Sequence, residues 1–306
     1  MTEALDLVIV GSGPAGLTAG IYAGVYKLNF AVVGKDYGLL AGAHEIWNFP
    51  GIKAIPGIEL VQRIRQHAVE GFNAKILDDE VVRVKKTNGN FAVETKNSGK
   101  FEAKTLIIAT GLMNRKLGIG EDRLVGKGVS YCATCDAGVF KGKTVAVIGG
   151  NDSAAQAALL LSEYASKVFI FYRQAALRCQ PIYLPKIAAR KNIEIIYNSN
   201  IVEVFGSKKL EKITLDTNGA KREVKIDGLF PEIGAVPQAV LFKELGVKFD
   251  EAGFIIVDSN QKTSIEGVYA AGDITANHPG FKQVVVACGE GAVAANSVFK
   301  LLKEKK

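Results

Sequence analysis

Leu7-Val8-Ile9-Val10-Gly11-Ser12-Gly13-Pro14-Ala15-Gly16 decides how this chain folds. Four apolar residues run straight into a turn with three spaced glycines. A stretch rich in small residues (Ala19, Gly20, Ala23, Gly24) follows, and then a second apolar run, Phe30-Ala31-Val32-Val33. Strand, glycine turn, close-packing helix and strand make a βαβ unit with a parallel sheet. In such a turn the first glycine permits the tight bend. The second lets backbone approach a pyrophosphate, and the third lets the helix pack closely, its N-terminus stabilising phosphate charge. Gly11, Ser12, Gly13, Pro14, Ala15 and Gly16 therefore read as a dinucleotide site. The acid expected after the next strand is ambiguous. Gly34 and Lys35 stand there, and Asp36 beyond them is either a ribose ligand or a plain loop acid.

The pattern returns once. Thr144-Val145-Ala146-Val147-Ile148 leads into Gly149-Gly150-Asn151-Asp152-Ser153-Ala154, a helix to about Ala165, and the strand Val168-Phe169-Ile170-Phe171. Each copy is followed by a β-hairpin region with a tight-turn pair, Asn88-Gly89 and Asn218-Gly219. Each ends in an apolar strand running to glycine: Leu106-Ile107-Ile108-Ala109-Thr110-Gly111 and Leu229-Phe230-Pro231-Glu232-Ile233-Gly234. The last segment, Val268-Tyr269-Ala270-Ala271-Gly272-Asp273 with a helix from about Gln283 to Leu302, reads as returning to the first domain. The expectation is an α/β fold of two Rossmann-like, three-layer (ββα) nucleotide-binding domains, the second inserted into the first. Residues 1–113 and 238–306 form one domain and residues 114–237 the other. The chain crosses near Leu112-Met113-Asn114 and Gly234-Ala235-Val236-Pro237.

Between the two glycine turns stands Cys132-Ala133-Thr134-Cys135, with Asp136 directly after it. Two cysteines at this spacing can close and reopen a disulfide, and an adjacent carboxyl can hold the proton that moves. The alternative is a structural zinc half-site or an inert pair. Zinc needs two further ligands. Cys179 and Cys288 are isolated, and His44, His67 and His278 are not at ligand spacing, so no metal is expected. Cys179 and Cys288 themselves read as buried small residues.

The 306 residues suffice for two domains. No run approaches the roughly 18 apolar residues of a membrane span. Met1-Thr2-Glu3-Ala4-Leu5-Asp6 carries acids where a signal peptide would carry bases, and only four cysteines are present, so a cytoplasmic protein is expected. The net charge of +7 reads either as a solvated basic surface or as attraction to an acidic partner. Its Lys and Arg are dispersed apart from the tail Lys303-Glu304-Lys305-Lys306, which argues against nucleic acid.

Taken in order, the Gly11 fingerprint, Ala109-Thr110-Gly111, Cys132-Ala133-Thr134-Cys135-Asp136, the second fingerprint and Tyr269-Ala270-Ala271-Gly272-Asp273 with Lys282-Gln283 resemble the low-molecular-weight thioredoxin reductases. The resemblance covers essentially the whole chain. It implies FAD on the first domain, with pyrophosphate over Gly11 to Gly16. Asp36, Asn48 (in Asn48-Phe49-Pro50-Gly51), Val81, Ala109, Thr110, Gly111 and Gly272 join the implied cofactor-binding set. Asp273 would hold ribitol hydroxyls, and Lys282, Gln283 and Val284 would lie against the flavin. Cys135 would face the flavin, Cys132 would attack the substrate disulfide and Asp136 would be the acid/base. A thioredoxin-like or glutaredoxin-like partner, a homodimer and a rotating inserted domain are implied as well.

The chain departs from that pattern in two places. Asn151 stands where the family has glycine, a side chain that should crowd a pyrophosphate; its tolerance of unusual backbone angles would let the turn survive. The second site is thus a degenerate NAD(P) site of Gly149, Gly150, Asn151, Asp152, Ser153, Ala154, Arg173 and Arg178. Tyr172 and Gln174 replace a family histidine and arginine. The family's Gly-Gly-Gln-Leu segment is replaced by Leu40-Ala41-Gly42-Ala43-His44-Glu45-Ile46-Trp47, in which His44 and Trp47 are either flavin contacts or a surface turn and a packing residue. Three readings stay open: a disulfide reductase with weak or lost NADPH use, fed by ferredoxin or another donor; an ordinary NADPH-dependent thioredoxin reductase; and a flavin-binding redox sensor without turnover.

Overall fold

The computed structural model describes residues 5–87, 89–279 and 281–304. The chain divides into two compact units, Met1–Ala41 with Ile46–Met113 and Val236–Lys306, and Gly42–Glu45 with Asn114–Ala235.

The first unit opens with β1 (Leu5–Val10), α1 (Pro14–Val25) and β2 (Phe30–Val33). Pro14 starts the helix where its missing N–H costs nothing. Next come α2 (Gly57–Gln66), β3 (Lys75–Leu77), β4 (Val81–Thr87), β5 (Asn90–Thr95) and β6 (Lys100–Ile108). The chain then leaves through β7 (Leu112–Asn114).

In the second unit α3 (Ala133–Asp136) carries the two cysteines at its start. It is followed by β8 (Thr144–Ile148), α4 (Asp152–Leu161), β9 (Lys167–Phe171), α5 (Leu184–Ala188) and β10 (Ile193–Ile196). An antiparallel meander of β11 (Ser199–Phe205), β12 (Lys212–Thr217) and β13 (Ala220–Lys225) precedes β14 (Gly228–Pro231). The return strand β15 (Ala235–Pro237) pairs with β7, and β16 (Val268–Ala270) and α6 (Val284–Glu304) complete the first unit.

The first unit's sheet has the order β3-β2-β1-β6-β5-β4, with β16 also on β6. β6 is long enough to serve two layers. Its first half pairs antiparallel with β5, and its last three residues pair parallel with β16. From Leu7 to Val10 in β1, and throughout β2, the residues are apolar and buried, because a parallel sheet is covered on both faces. The second unit repeats the plan with a parallel sheet β10-β9-β8-β14 and the separate meander. The α/β class and the two Rossmann-like halves follow the sequence reading.

Several details differ from it. α4 stops at Leu161 rather than near Ala165. There Ser162 Oγ donates to the Leu159 carbonyl, and Asn192 Nδ2 donates to the carbonyls of Ser162 and Ala165. α6 is, by length and composition, the one described helix apolar enough to cross a membrane, although no such run stood out in the sequence. In this fold its small residues serve packing. Ala287, Gly291, Ala294 and Ala295 are buried, and Gly291 lies against the Ala15 backbone with no room for a Cβ. Asn218 and Gly219 both take positive φ, +53° and +88°, as the tight-turn reading requires. In the other pair, Asn88 lies outside the described residues.

Candidate functional site

Parallel pairing sets out the first site. Val10 of β1 lies level with Val33 of β2 and Ile108 of β6, and Ile108 with Ala270 of β16. The ladder continues past the strand ends: Gly11 N–H donates to Val33, Ala109 N–H to Val10 and Ala271 N–H to Ile108. Gly11, Ala109 and Gly272 thus meet at one edge, the carboxyl ends of neighbouring strands, where α/β sheets bind ligands. Gly11, at φ +116°, lies on the Ala109 carbonyl, and a Cβ on Gly272, at φ +81°, would come within 2.8 Å of Ala15 Cβ. Gly13 is the exception. A Cβ there would meet nothing within 4 Å, and no side chain caps α1. The first-turn N–H groups of a 12-residue helix therefore face open space beside a glycine that leaves it open. The chain's residues fit the pyrophosphate of a dinucleotide such as FAD.

Asp273 follows Gly272. Burial pushes its carboxyl up to about 6, against the pull of the Lys282 ammonium and with a further push from Glu290. Lys282 is shifted down, chiefly by burial. Its Nζ donates to the Thr275 and Asn277 carbonyls at 2.8 Å each and lies 4.8 Å from the Phe254 ring centroid. The ammonium is thus committed to closing the 275–277 loop. Asn48 Nδ2 donates to Gln283 Oε1 at 2.8 Å, which joins two of the expected residues. Asp36 accepts the Gly38 N–H at its own Oδ1, and its carbonyl accepts Ser12 Oγ, so it closes a local turn. Val81 packs on the sheet core, and Thr110 Oγ1 donates to the Gln238 carbonyl.

Sequence reading missed Glu290. It is buried and accepts from Gly272 N–H (2.8 Å), Thr275 Oγ1 (3.1 Å) and Asn277 Nδ2 (3.3 Å), fixing the turn that presents Asp273. The signal was available: Glu290 is the one charged residue between Val284 and Phe299.

In the second unit Cys132 and Cys135 form a disulfide. Cys132 is the N-cap of α3, and its Sγ accepts the Cys135 N–H at 3.2 Å. Ser130 Oγ accepts the Cys132 N–H at 3.0 Å. Asp136 begins one residue on, and its N–H donates to the Cys132 carbonyl. Tyr131 Oη donates to Glu121, a buried carboxylate that also accepts from Leu117, Gly118 and Ile119 N–H. Burial opposes the charge on Glu121, but these donors together hold its pKa below the ordinary value; burial and Glu121 in turn push the Tyr131 phenol up. The dithiol segment is thereby pinned at the residue before Cys132. Neither Glu121 nor Tyr131 was singled out in the sequence. Thr134 Oγ1 donates to the Gly42 carbonyl, which brings residues 42–45, His44 among them, into the second unit. Trp47 belongs to the first.

The second glycine turn keeps its shape and loses its opening. Asn151 has φ −91° and ψ −175°, against −77° and −175° at Gly13, so no unusual backbone angle is involved, contrary to expectation. Its Oδ1 accepts the Ala154 N–H at 3.0 Å. Gly150 lies under the Tyr172 ring, which a Cβ would approach to 2.5 Å. Asp152 is held by Gln180 through two 2.7 Å bonds. Arg173 and Arg178 are exposed. The residues of this turn do not fit a dinucleotide pyrophosphate as the first turn does.

The profile of the pyridine nucleotide-disulphide oxidoreductase family matches residues 5–291. The chain is 36% identical to thioredoxin reductase of Bacillus subtilis over 98% of its own length and 95% of that protein's. It is 37% identical to thioredoxin reductase of Peptoclostridium acidaminophilum over 99% and 98% of the two chains. Among solved structures, thioredoxin reductase of Lactococcus lactis superposes with a TM-score of 0.92 at 34% identity, covering 98% of this chain and 99% of the other. That of T. acidophilum superposes at 0.91 with 40% identity and the same coverage. A whole-length match at this identity, on a fold with a disulfide between its two glycine turns, places the chain in the pyridine nucleotide-disulphide oxidoreductase family, among the low-molecular-weight thioredoxin reductases.

Proposed function

We propose that this thioredoxin-disulfide reductase charges its Cys132–Cys135 pair from FAD held by Gly11 to Gly16 and Asp273, and that its use of nicotinamide is weak or lost. The observation that carries the dithiol assignment is the Cys135 N–H on Cys132 Sγ, at the start of α3. FAD, when bound and reduced by the electron donor, would supply the two electrons. Reduction of the disulfide takes two electrons and two protons and breaks the S–S bond. The N–H donor favours negative charge on Cys132, which makes it the attacking thiolate. Cys132 forms a mixed disulfide with the partner, releasing one partner thiolate. Cys135 then attacks Cys132 Sγ, closes the protein disulfide and releases the second. Asp136, adjacent to Cys135, holds the proton exchanged at each turn. The partner is a thioredoxin-like or glutaredoxin-like protein, the working form a cytoplasmic homodimer, and the electron source reduced ferredoxin or another donor, which the +7 charge suits.

A second reading, ordinary NADPH use, is favoured by Arg173 and Arg178, both exposed and both on the segment that the family resemblance gives to a 2′-phosphate. Anaerobic stopped-flow flavin absorbance separates the two. Oxidised protein is mixed in turn with NADPH, NADH and reduced ferredoxin, with thioredoxin reduction followed afterwards. Bleaching by ferredoxin alone is the expected result. Fast bleaching by NADPH at micromolar concentration would establish the second reading, and no thioredoxin reduction with any donor would leave a sensor.

A further inference from the structure

The two glycine turns can be compared position by position, because Gly11-Ser12-Gly13 and Gly149-Gly150-Asn151 each join a parallel strand to a helix. Their backbones are alike, so the differences lie in side chains. In the first turn Gly13 opens the space before α1, and the helix has no side-chain cap. In the second, Asn151 caps α4 itself. A side-chain oxygen at an N-cap takes the same N–H groups that a bound phosphate would take. A ligand must displace it and regains only what it displaced.

The second difference is an exchange of sizes. In the first unit a small residue follows β2: Gly34 lies against Ser12. In the second unit Tyr172 follows β9 and lies against Gly150. The residues after this strand are where the ribose of a dinucleotide is read. Tyr172 is buried and its hydroxyl donates to Gln174 Oε1 at 2.9 Å, which holds the ring over the glycine. Arg178 N–H closes the same corner by donating to the Gly150 carbonyl at 2.7 Å.

We propose that the second cleft is stoppered by the chain's own side chains: Asn151 takes the helix-terminal donor meant for pyrophosphate, and Tyr172, held by Gln174, fills the ribose side. Asn151, Tyr172 and Gln174 are then the residues that set nicotinamide specificity. The proposal rests on the reading that nicotinamide use is weak, and it adds the cause. The exposed Arg173 and Arg178 are retained, so opening the turn should suffice to recover affinity.

The test is calorimetric binding of NADPH and of 2′-phospho-ADP-ribose to the oxidised holoprotein, which needs no turnover. The unaltered protein should bind both at millimolar concentration or weaker. Asn151→Gly should tighten binding, and the triple variant Asn151→Gly, Tyr172→His, Gln174→Arg should tighten it by about a hundredfold, one decade for the turn and one for the ribose side. Asn151→Asp keeps a capping oxygen and should gain nothing. Replacing an N-cap by glycine costs a helix little, so the single variant stays folded even if the triple does not. Weak binding in the unaltered protein with no gain in a folded Asn151→Gly would overturn the stopper and leave the reading of weak nicotinamide use standing. Micromolar binding by the unaltered protein would overturn both.

Discussion

At the two sulfurs Cys132 and Cys135 differ by one hydrogen bond, and the roles proposed for them rest on it. Cys132 Sγ receives the Cys135 N–H, so charge is favoured on Cys132. Cys135→Ser should keep FAD bound and abolish transfer from flavin to the dithiol. Cys132→Ser should leave Cys135 free to interact with flavin, with substrate reduction lost. Flavin spectra and thioredoxin turnover read the two apart, and full activity in either variant would refute the relay. Glu232, just beyond β14, makes a second prediction at this scale. Burial raises its carboxyl from 4.5 to about 7. Its protonated form is favoured in the fold, so its contribution is complete below pH 4.5 and is lost as pH rises through 7. Glu232→Gln should therefore be near neutral at pH 4.5. At pH 8 it should stabilise by an amount bounded by about 3 kcal/mol. Melting temperatures of the two proteins at both pH values measure this, and equal shifts at both would refute it.

At the scale of the element, the two glycines that begin α1 separate folding from cofactor retention. A Cβ on Gly16 would strike the Gly11 carbonyl, whereas one on Gly13, at φ −77°, enters open space. Gly16→Ala should lower the melting temperature of the apoprotein, and Gly13→Ala should not. Gly13→Ala should instead weaken FAD by about tenfold, about 1.4 kcal/mol, read from flavin fluorescence on dilution. Unchanged FAD affinity in Gly13→Ala would remove Gly13 from the cradle. This contrast also shows what was legible beforehand. Strand, turn and helix are local in sequence, so both βαβ units, the meanders and the glycine turns could be read from it. The premature stop of α4 could not, because Asn192, some thirty residues on, takes the Ser162 and Ala165 carbonyls just past its end. The Glu290 network and the pinning of Tyr131 by Glu121 were hidden for the same reason: each buried acid finds its donors only once the turns have formed.

For the molecule as a whole, the two crossings of the chain matter most. β7 and β15 pair with each other. Just inside the first unit, Gln238 N–H donates to the Gly111 carbonyl and Gln238 Nε2 to the Leu112 carbonyl, each at 3.1 Å. The chain therefore leaves and re-enters the first unit at one point. All the residues proposed to hold FAD lie in that unit, together with Glu290 and the β16–α6 segment. Its cores draw on β1, β2, β6, α1 and α6, with nothing from residues 114–235. A chain lacking residues 114–235, with Met113 joined to Val236 by a short glycine linker, should thus fold and retain FAD. It should lack all disulfide reductase activity, because both cysteines are gone. The flavin-to-protein absorbance ratio after purification, with a cooperative melt, is the measurement. A folded but colourless protein would mean that the inserted unit contributes to the cofactor site. A yellow one would separate the two tasks, with cofactor retention in the outer segments and disulfide chemistry in the insert.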